Sequence, residues 1–313
     1  MIIVRWCLSV AFIATGLFSL ADGLAQTQTK SIAERLGYPA DAKLVILHAD
    51  DLAVAHSVDM AAFAALDQKA VSSASIMVPC PWLTEVSAYA KGHPDADLGL
   101  HLTLTSEWKT YRWGPVAPKD QVPSLLDPDG YFYSDVVPVA THAKPEEAER
   151  EIRAQIDLAM KMGIHPTHLD MHMGTLAATP QLYATLVKVG HELHLPFLAV
   201  HVNDARNAMM SLLSPSDVVF NSVVIFSPGV PPDQWTASYV KALGSIKPGL
   251  HYLIVHLGHD DAELQAITVG HPDYGAAWRQ RDFNAVTSPE FKRALEENHI
   301  ILVGWKDLRR IAD

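Results

Sequence analysis

The chain has 313 residues, 49% of them hydrophobic, with 35 Asp and Glu against 24 Lys and Arg, a formal net charge of -11. That acidity excludes a role driven by attraction to polyanions, whether nucleic acid or an anionic lipid surface. A single Cys outside the first 25 residues, Cys80, also excludes an internal disulfide from a processed chain.

The first stretch, Met1 to Ala25, carries Arg5, runs apolar from Leu8 to Leu20 and ends in small residues at Gly23 and Ala25. The apolar run is shorter than the roughly 20 residues a spanning helix needs. It therefore predicts a signal peptide over 1–25 and an exported protein, periplasmic or secreted, with no stable membrane span after cleavage. An uncleaved anchor is the alternative. Cleavage removes Arg5 and Asp22 together, so the net charge stays at -11. Cys80, between Pro79 and Pro81, reads as a small residue at a strand end rather than a nucleophile.

Residues 26–42 form a lead-in, and 43–313 carry neither repeats nor low-complexity runs, which predicts one α/β domain. Apolar strand-like runs recur at Leu44 to Ala49, Ser73 to Val78, Leu98 to Leu104, Pro166 to Met171, Phe197 to His201, Val218 to Phe226, Tyr252 to Leu257 and Ile300 to Gly304. Helical patterns lie between them. From Pro145 to Gly163, for example, a proline opens the first turn, Glu146 and Glu147 suit the positive end of the dipole, and Ile152, Ile156 and Met160 form one stripe. Alternation of this kind implies parallel βαβ units. Seven to eight such strands predict a (β/α) barrel, deformed or incomplete.

Barrel enzymes hold their chemistry at the carboxyl ends of the strands. The polar residues here fall at those ends: Asp50 and Asp51 after the first run, His101 in the third, His168, Asp170 and His172 in the fourth, His256 in the seventh, with His259 and Asp260 just beyond. Two imidazoles and a carboxylate are a common set for a divalent ion, with positions left for water and substrate. Because the chain has 16 histidines, His191 and His194 read as ordinary structural residues. His168 reads as structural more readily than as a ligand. Asp170, two residues before His172, is either a hydrogen-bond partner behind a ligand histidine or a structural carboxylate.

Four segments taken in order, HADDLAVAHSVDMAAFAALDQKAVSSASIMVPCPW, LGLHLTLTSEW, PTHLDMHMG and RQRDFNAVTSPEFKRALEENHIILVGWKDL, resemble the YdjC-like carbohydrate deacetylases, relatives of the polysaccharide deacetylases with a deformed (β/α) barrel. The resemblance runs from Lys43 to Leu308. It implies that Asp50 is the catalytic base, that Asp51, His101 and His172 hold a metal, and that His256 is the acid. The chain departs from the usual pattern at Leu52 and Ala53, where the family commonly has Phe and Gly. It departs again at Met173, often a second His, and at Leu257, usually Pro.

Such a set suits amide hydrolysis, which needs an activated water, a base, a charge for the oxyanion and an acid for the leaving amine. Zn2+ and Mg2+ are both open: two imidazoles favour the first, carboxylate and water tolerate the second. Adjacent acids suit a glycosidase poorly, since its carboxylates must stand roughly 5 to 9.5 Å apart across the bond. The long segment from Thr105 to Lys144 is rich in Pro, Gly and aromatics. Trp108, Tyr111, Trp113, Tyr131 and Tyr133 there either face sugar rings or pin the loop. Arg279 and Arg281 either bind substrate or pair with nearby acids. The expected ligand is a small carbohydrate, with a homodimer left open. Another metal-dependent barrel hydrolase or isomerase, or a non-catalytic carbohydrate-binding protein, are the competing readings.

Overall fold

Lys43–Leu52 form β1, with nine of its ten residues buried. Burial on both faces is what a central strand between helices and barrel interior requires. In the computed structural model, which describes residues 30–200, 207–226 and 228–311, β1 pairs in parallel with β2 (Ser73–Ile76) and β8 (Gly249–Val255). Its first residues also pair with β9 (Ile300–Leu302). The main sheet continues through β3 (Leu98–Leu102) to β4 (Leu169–Met171) on one side and through β8 to β7 (Ser222–Val224) on the other. The signal peptide expected over 1–25 lies outside the described residues. Among the described residues no helix is long and apolar enough to cross a membrane.

A two-stranded sheet, β5 (Ala199–Val200) with β6 (Val219–Phe220), spans the remaining arc. Beside β4 it is joined by one bridge, Leu169 to Phe197. At its other end Asn221 separates β6 from β7: its Oδ1 accepts from Leu250 N at 2.8 Å in place of a backbone carbonyl. The predicted run Val218 to Phe226 is therefore two short strands. The result is the deformed (β/α) barrel that the alternation predicted.

Alternation along β1 sorts the core. Val45, Leu47 and Ala49 join the larger apolar cluster beneath the helices. Leu44 and Ile46 join a second cluster with Phe220, Leu250, Tyr252 and Trp305 on the concave face. The lead-in is part of this packing, because Ala33, in a short helix capped by Ser31 and Glu34, is buried against the second cluster.

The end of β1 is irregular. From Ala49 to Leu52 the strand advances three residues while β2 advances two, from Ala74 to Ile76, a one-residue bulge. Asp51 and Ala53 there adopt φ of +73° and +74°, a region that costs a residue with a Cβ roughly 1–2 kcal/mol. Asp59, on the helix His56–Asp67, holds the turn by accepting Ala53 N at 2.6 Å. Burial pushes the Asp59 carboxyl well above the usual range, and an amide of nearly the same shape keeps the oxygen that Ala53 N needs. Asp59→Ala is expected to cost about 1–3 kcal/mol in urea unfolding, the cost of a buried donor left unpaired, while Asp59→Asn keeps most of it.

Candidate metal centre

Both acids of β1 reach the barrel mouth. On a regular strand consecutive side chains diverge. The bulge instead lets both approach one imidazole: His101 Nε2 lies 3.4 Å from Asp51 Oδ1 and 3.8 Å from Asp50 Oδ2. His172, directly after β4, brings Nδ1 to 3.4 Å from the same Asp51 Oδ1. Asp51, His101 and His172 are buried, each with a ligand-type atom within 4.8 Å of the others'.

Each of these three side chains is held from behind by an opposite or complementary partner. Arg279 Nη2 donates to Asp51 Oδ2 at 2.6 Å. His101 Nδ1 donates to Asp170 Oδ1 at 2.8 Å, and His172 Nε2 to Glu107 Oε2 at 3.0 Å. With the outer nitrogens committed in this way, His101 Nε2 and His172 Nδ1 face Asp51 Oδ1 and offer lone pairs to a cation once their protons leave. That oxygen is itself buried without a hydrogen-bond partner. Three ligand-type atoms facing one another, the carboxylate oxygen unpaired, fit a cation that displaces the imidazole protons.

The charge states agree. Burial would raise Asp51, but Arg279 and His172 hold it well below the usual carboxylate range. Burial would lower both histidines, yet Asp50 and Asp170 bring His101 up to about 9, and Glu107 and Asp51 bring His172 up to about 10. Without an ion, protons fill the positive role, and a cation must displace them.

Asp50 is 5% exposed; burial is the largest cause of its rise to about 6. His256, one residue past β8, places Nε2 3.8 Å from Asp50 Oδ2. Burial, aided by Arg279 against the pull of Asp51, lowers it to about 3. Its backbone N–H donates to the buried Asp282 at 3.0 Å.

The other residues singled out from sequence lie as follows. Asp170 sits between three groups: His101 on Oδ1, His48 Nε2 at 3.0 Å and the Tyr252 hydroxyl at 3.2 Å on Oδ2. His168 is fully buried and stacked 4.5 Å from Trp305. Trp108 and Trp113 are 2% and 4% exposed. Trp113 Nε1 donates to Thr105 O, and the Trp108 ring lies 5.6 Å from the Arg279 guanidinium, so these two pin the loop around the centre. Tyr131 is exposed, with Arg112 and Lys119 5.4 and 5.6 Å from its ring. Arg279 is 1% exposed and committed to Asp51, the ion-pair alternative rather than a surface for substrate.

Three partners escaped the sequence reading. His48 alternates with Asp50 on one face of β1, a signal that could have found it; its Nε2 faces Asp50 Oδ1 at 3.3 Å and Ser75 Oγ at 3.0 Å. Glu107 and Asp282 carry no local signal, since their partners are 65 and 26 residues away in the chain. Glu107→Gln leaves a hydrogen-bonding atom but no charge behind His172. Metal affinity is expected to fall about 10–100-fold, the usual effect of disturbing such a partner, as read by competition with a fluorescent chelator.

The family model of YdjC-like proteins matches residues 44–297. A carbohydrate deacetylase of Thermus thermophilus is 32% identical over 284 residues, covering 89% of this chain and 98% of the relative. A chitooligosaccharide deacetylase of Yersinia enterocolitica is 24% identical over 270 residues, covering 85% and 99%. A crystal structure from Enterococcus faecalis, provisionally described as a cellobiose-phosphate cleavage protein, superposes with a TM-score of 0.71 at 23% identity, covering 85% of this chain and 99% of that one. The concave arrangement of Asp51, His101 and His172 thus stands on a fold and a sequence shared with these proteins, and the chain belongs to the YdjC-like family.

Proposed function

We propose that this protein is a metal-dependent hydrolase that removes acetyl groups from N-acetylated sugars or short oligosaccharides. The observation that carries the proposal is the meeting of Asp51 Oδ1, His101 Nε2 and His172 Nδ1 beside Asp50 and His256. The names of the relatives from Thermus thermophilus and Yersinia enterocolitica support the sugar and the acetyl group. A divalent ion at the three ligands supplies Lewis acidity, polarising a carbonyl and lowering the pKa of water. Two imidazoles and one carboxylate would hold such an ion, a donor set that suits zinc.

The chain's own residues divide the proton work. Asp50 takes the proton of the attacking water. His256, neutral at rest, receives that proton across the 3.8 Å from Asp50 and gives it to the departing nitrogen, so the amine leaves neutral and the acyl product leaves as acetic acid, which ionises to acetate by releasing the second proton of the water to solvent. Arg279, behind Asp51, keeps that ligand anionic. The apolar leader supports export to the periplasm or beyond. Purified protein should release acetate from N-acetyl chito-oligosaccharides, lose that activity to a chelator and regain it with zinc. Zinc-loaded, folded protein that releases no acetate from a broad panel of N-acetylated sugars would overturn the proposal.

A further inference from the structure

Deeper in the barrel, below Asp50, lies a second convergence of ligand-type atoms. His48, His168 and Asp170 are 0%, 0% and 1% exposed, and one ligand atom of each lies within 4.8 Å of the others. Asp170 Oδ2 is 3.0 Å from His48 Nε2 and 4.0 Å from His168 Nε2. The outer nitrogens face hydroxyls. Thr167 donates its hydrogen to Asp97, so its Oγ1 is an acceptor toward His168 Nδ1 at 2.9 Å. The His168 ring proton therefore sits on Nδ1, and Nε2 carries a lone pair. That Nε2 is buried with no hydrogen-bond partner. His48 Nε2 donates to Asp170 Oδ2 at 3.0 Å; when a cation displaces that proton, Nδ1 carries the ring proton toward Ser73 Oγ, 2.6 Å away.

The ring of His168 is fixed in this aim. Trp305 stacks on it at 4.5 Å. Gly99 faces it so closely that a Cβ there would stand 2.4 Å from the ring atoms, so a side chain at 99 would drive the imidazole away.

We propose that His48, His168 and Asp170 bind a second divalent cation, distinct from the one at Asp51. His168 Nε2 is an acceptor with no donor, and once the His48 proton moves to Nδ1, two imidazole nitrogens and a carboxylate oxygen offer lone pairs to one cation. Two imidazoles with a hydroxyl behind each, and one carboxylate, suit zinc or cobalt. The ion would tie β1 to β4 across the barrel interior, strands that β2 and β3 separate in the sheet. It stands near the thin β4–β5 join, where a cross-link has the most to hold. The inference does not rest on the deacetylase reading.

The test is metal stoichiometry on untagged, chelator-stripped protein reloaded with Zn2+ or Co2+, measured by equilibrium dialysis and elemental analysis. The expected values are two ions per chain for the wild type and one each for His168→Gln and His172→Gln. Should His168→Gln fail to fold, His48→Asn replaces it, with the same expectation of one. Wild-type crystals measured above and below the cobalt edge should show two anomalous peaks, the second between His48 and His168. One ion per chain in the wild type, with a water refined between His168 and Asp170, overturns the second site alone. No ion at all overturns both this inference and the proposed metal-dependent activity.

Discussion

Asp50→Asn is expected to slow acetate release by about 10²–10⁴-fold, the range general-base removal commonly produces, with metal content unchanged. Geometry separates the two acids. Asp51 Oδ1 faces both inner imidazole nitrogens at 3.4 Å, whereas Asp50 stands 3.8 Å from His101 and His256 and 3.3 Å from His48, within reach of a water rather than of the shared ligand point. An amide at 50 keeps the shape and the contacts but accepts no proton. The pH profile supplies a second readout. Burial raises Asp50 from its ordinary value to about 6, and a base works only when deprotonated, so the rate should climb with pH through an acid limb. A bound divalent ion favours the carboxylate, placing that limb at or below pH about 6 in the loaded enzyme. The residual activity of Asp50→Asn should lack it. Metal loss in Asp50→Asn, or an unaltered rate, would remove Asp50 from the role of base.

Arg279→Leu is the substitution expected to cost the most stability, about 3–5 kcal/mol, because it strands a buried carboxylate that had a buried partner. Both side chains of the pair are at most 3% exposed and meet at 2.6 Å. Arg279 also donates to Tyr274 O at 2.6 Å, so the segment over His256 loosens with it. Urea unfolding of ion-free protein measures the effect. Zinc should recover part of the loss, since a cation at Asp51 compensates the same charge from the other side. Lys at 279 is a poor substitute, having no second donor for the Tyr274 carbonyl while its ammonium serves Asp51. Loss of less than about 1 kcal/mol would mean that the pair is solvated and that Asp51 does not depend on it.

Much of this architecture was legible in the sequence because it follows from short-range pattern. Apolar runs of strand length between amphipathic helices give the parallel units, and polar residues at the ends of those runs put Asp51, His101 and His172 among the candidates, from which the family resemblance picks them as ligands. What escaped depends on atoms distant along the chain. Nothing local in Thr105-Ser106-Glu107 reveals that the glutamate ends behind His172, or that Arg279 will reach Asp51 across 228 positions. The bulge at Asp51 was hidden for another reason: it is set by register against β2, and a strand's own residues do not report register. Asn221 broke a predicted strand by a related route, replacing a ladder carbonyl with its side chain. The tryptophans of the long loop left two readings open in the sequence. Trp108 and Trp113 have the composition of a sugar platform, and their indoles are spent on holding the loop.

The partner behind each of the three ligands has a kinetic corollary. Side chains already clamped by Arg279, Asp170 and Glu107 lose little rotational freedom when a cation arrives, so loading should be fast and should leave the fold superimposable. A cradle of this kind survives metal scarcity intact and refills on contact with trace ions.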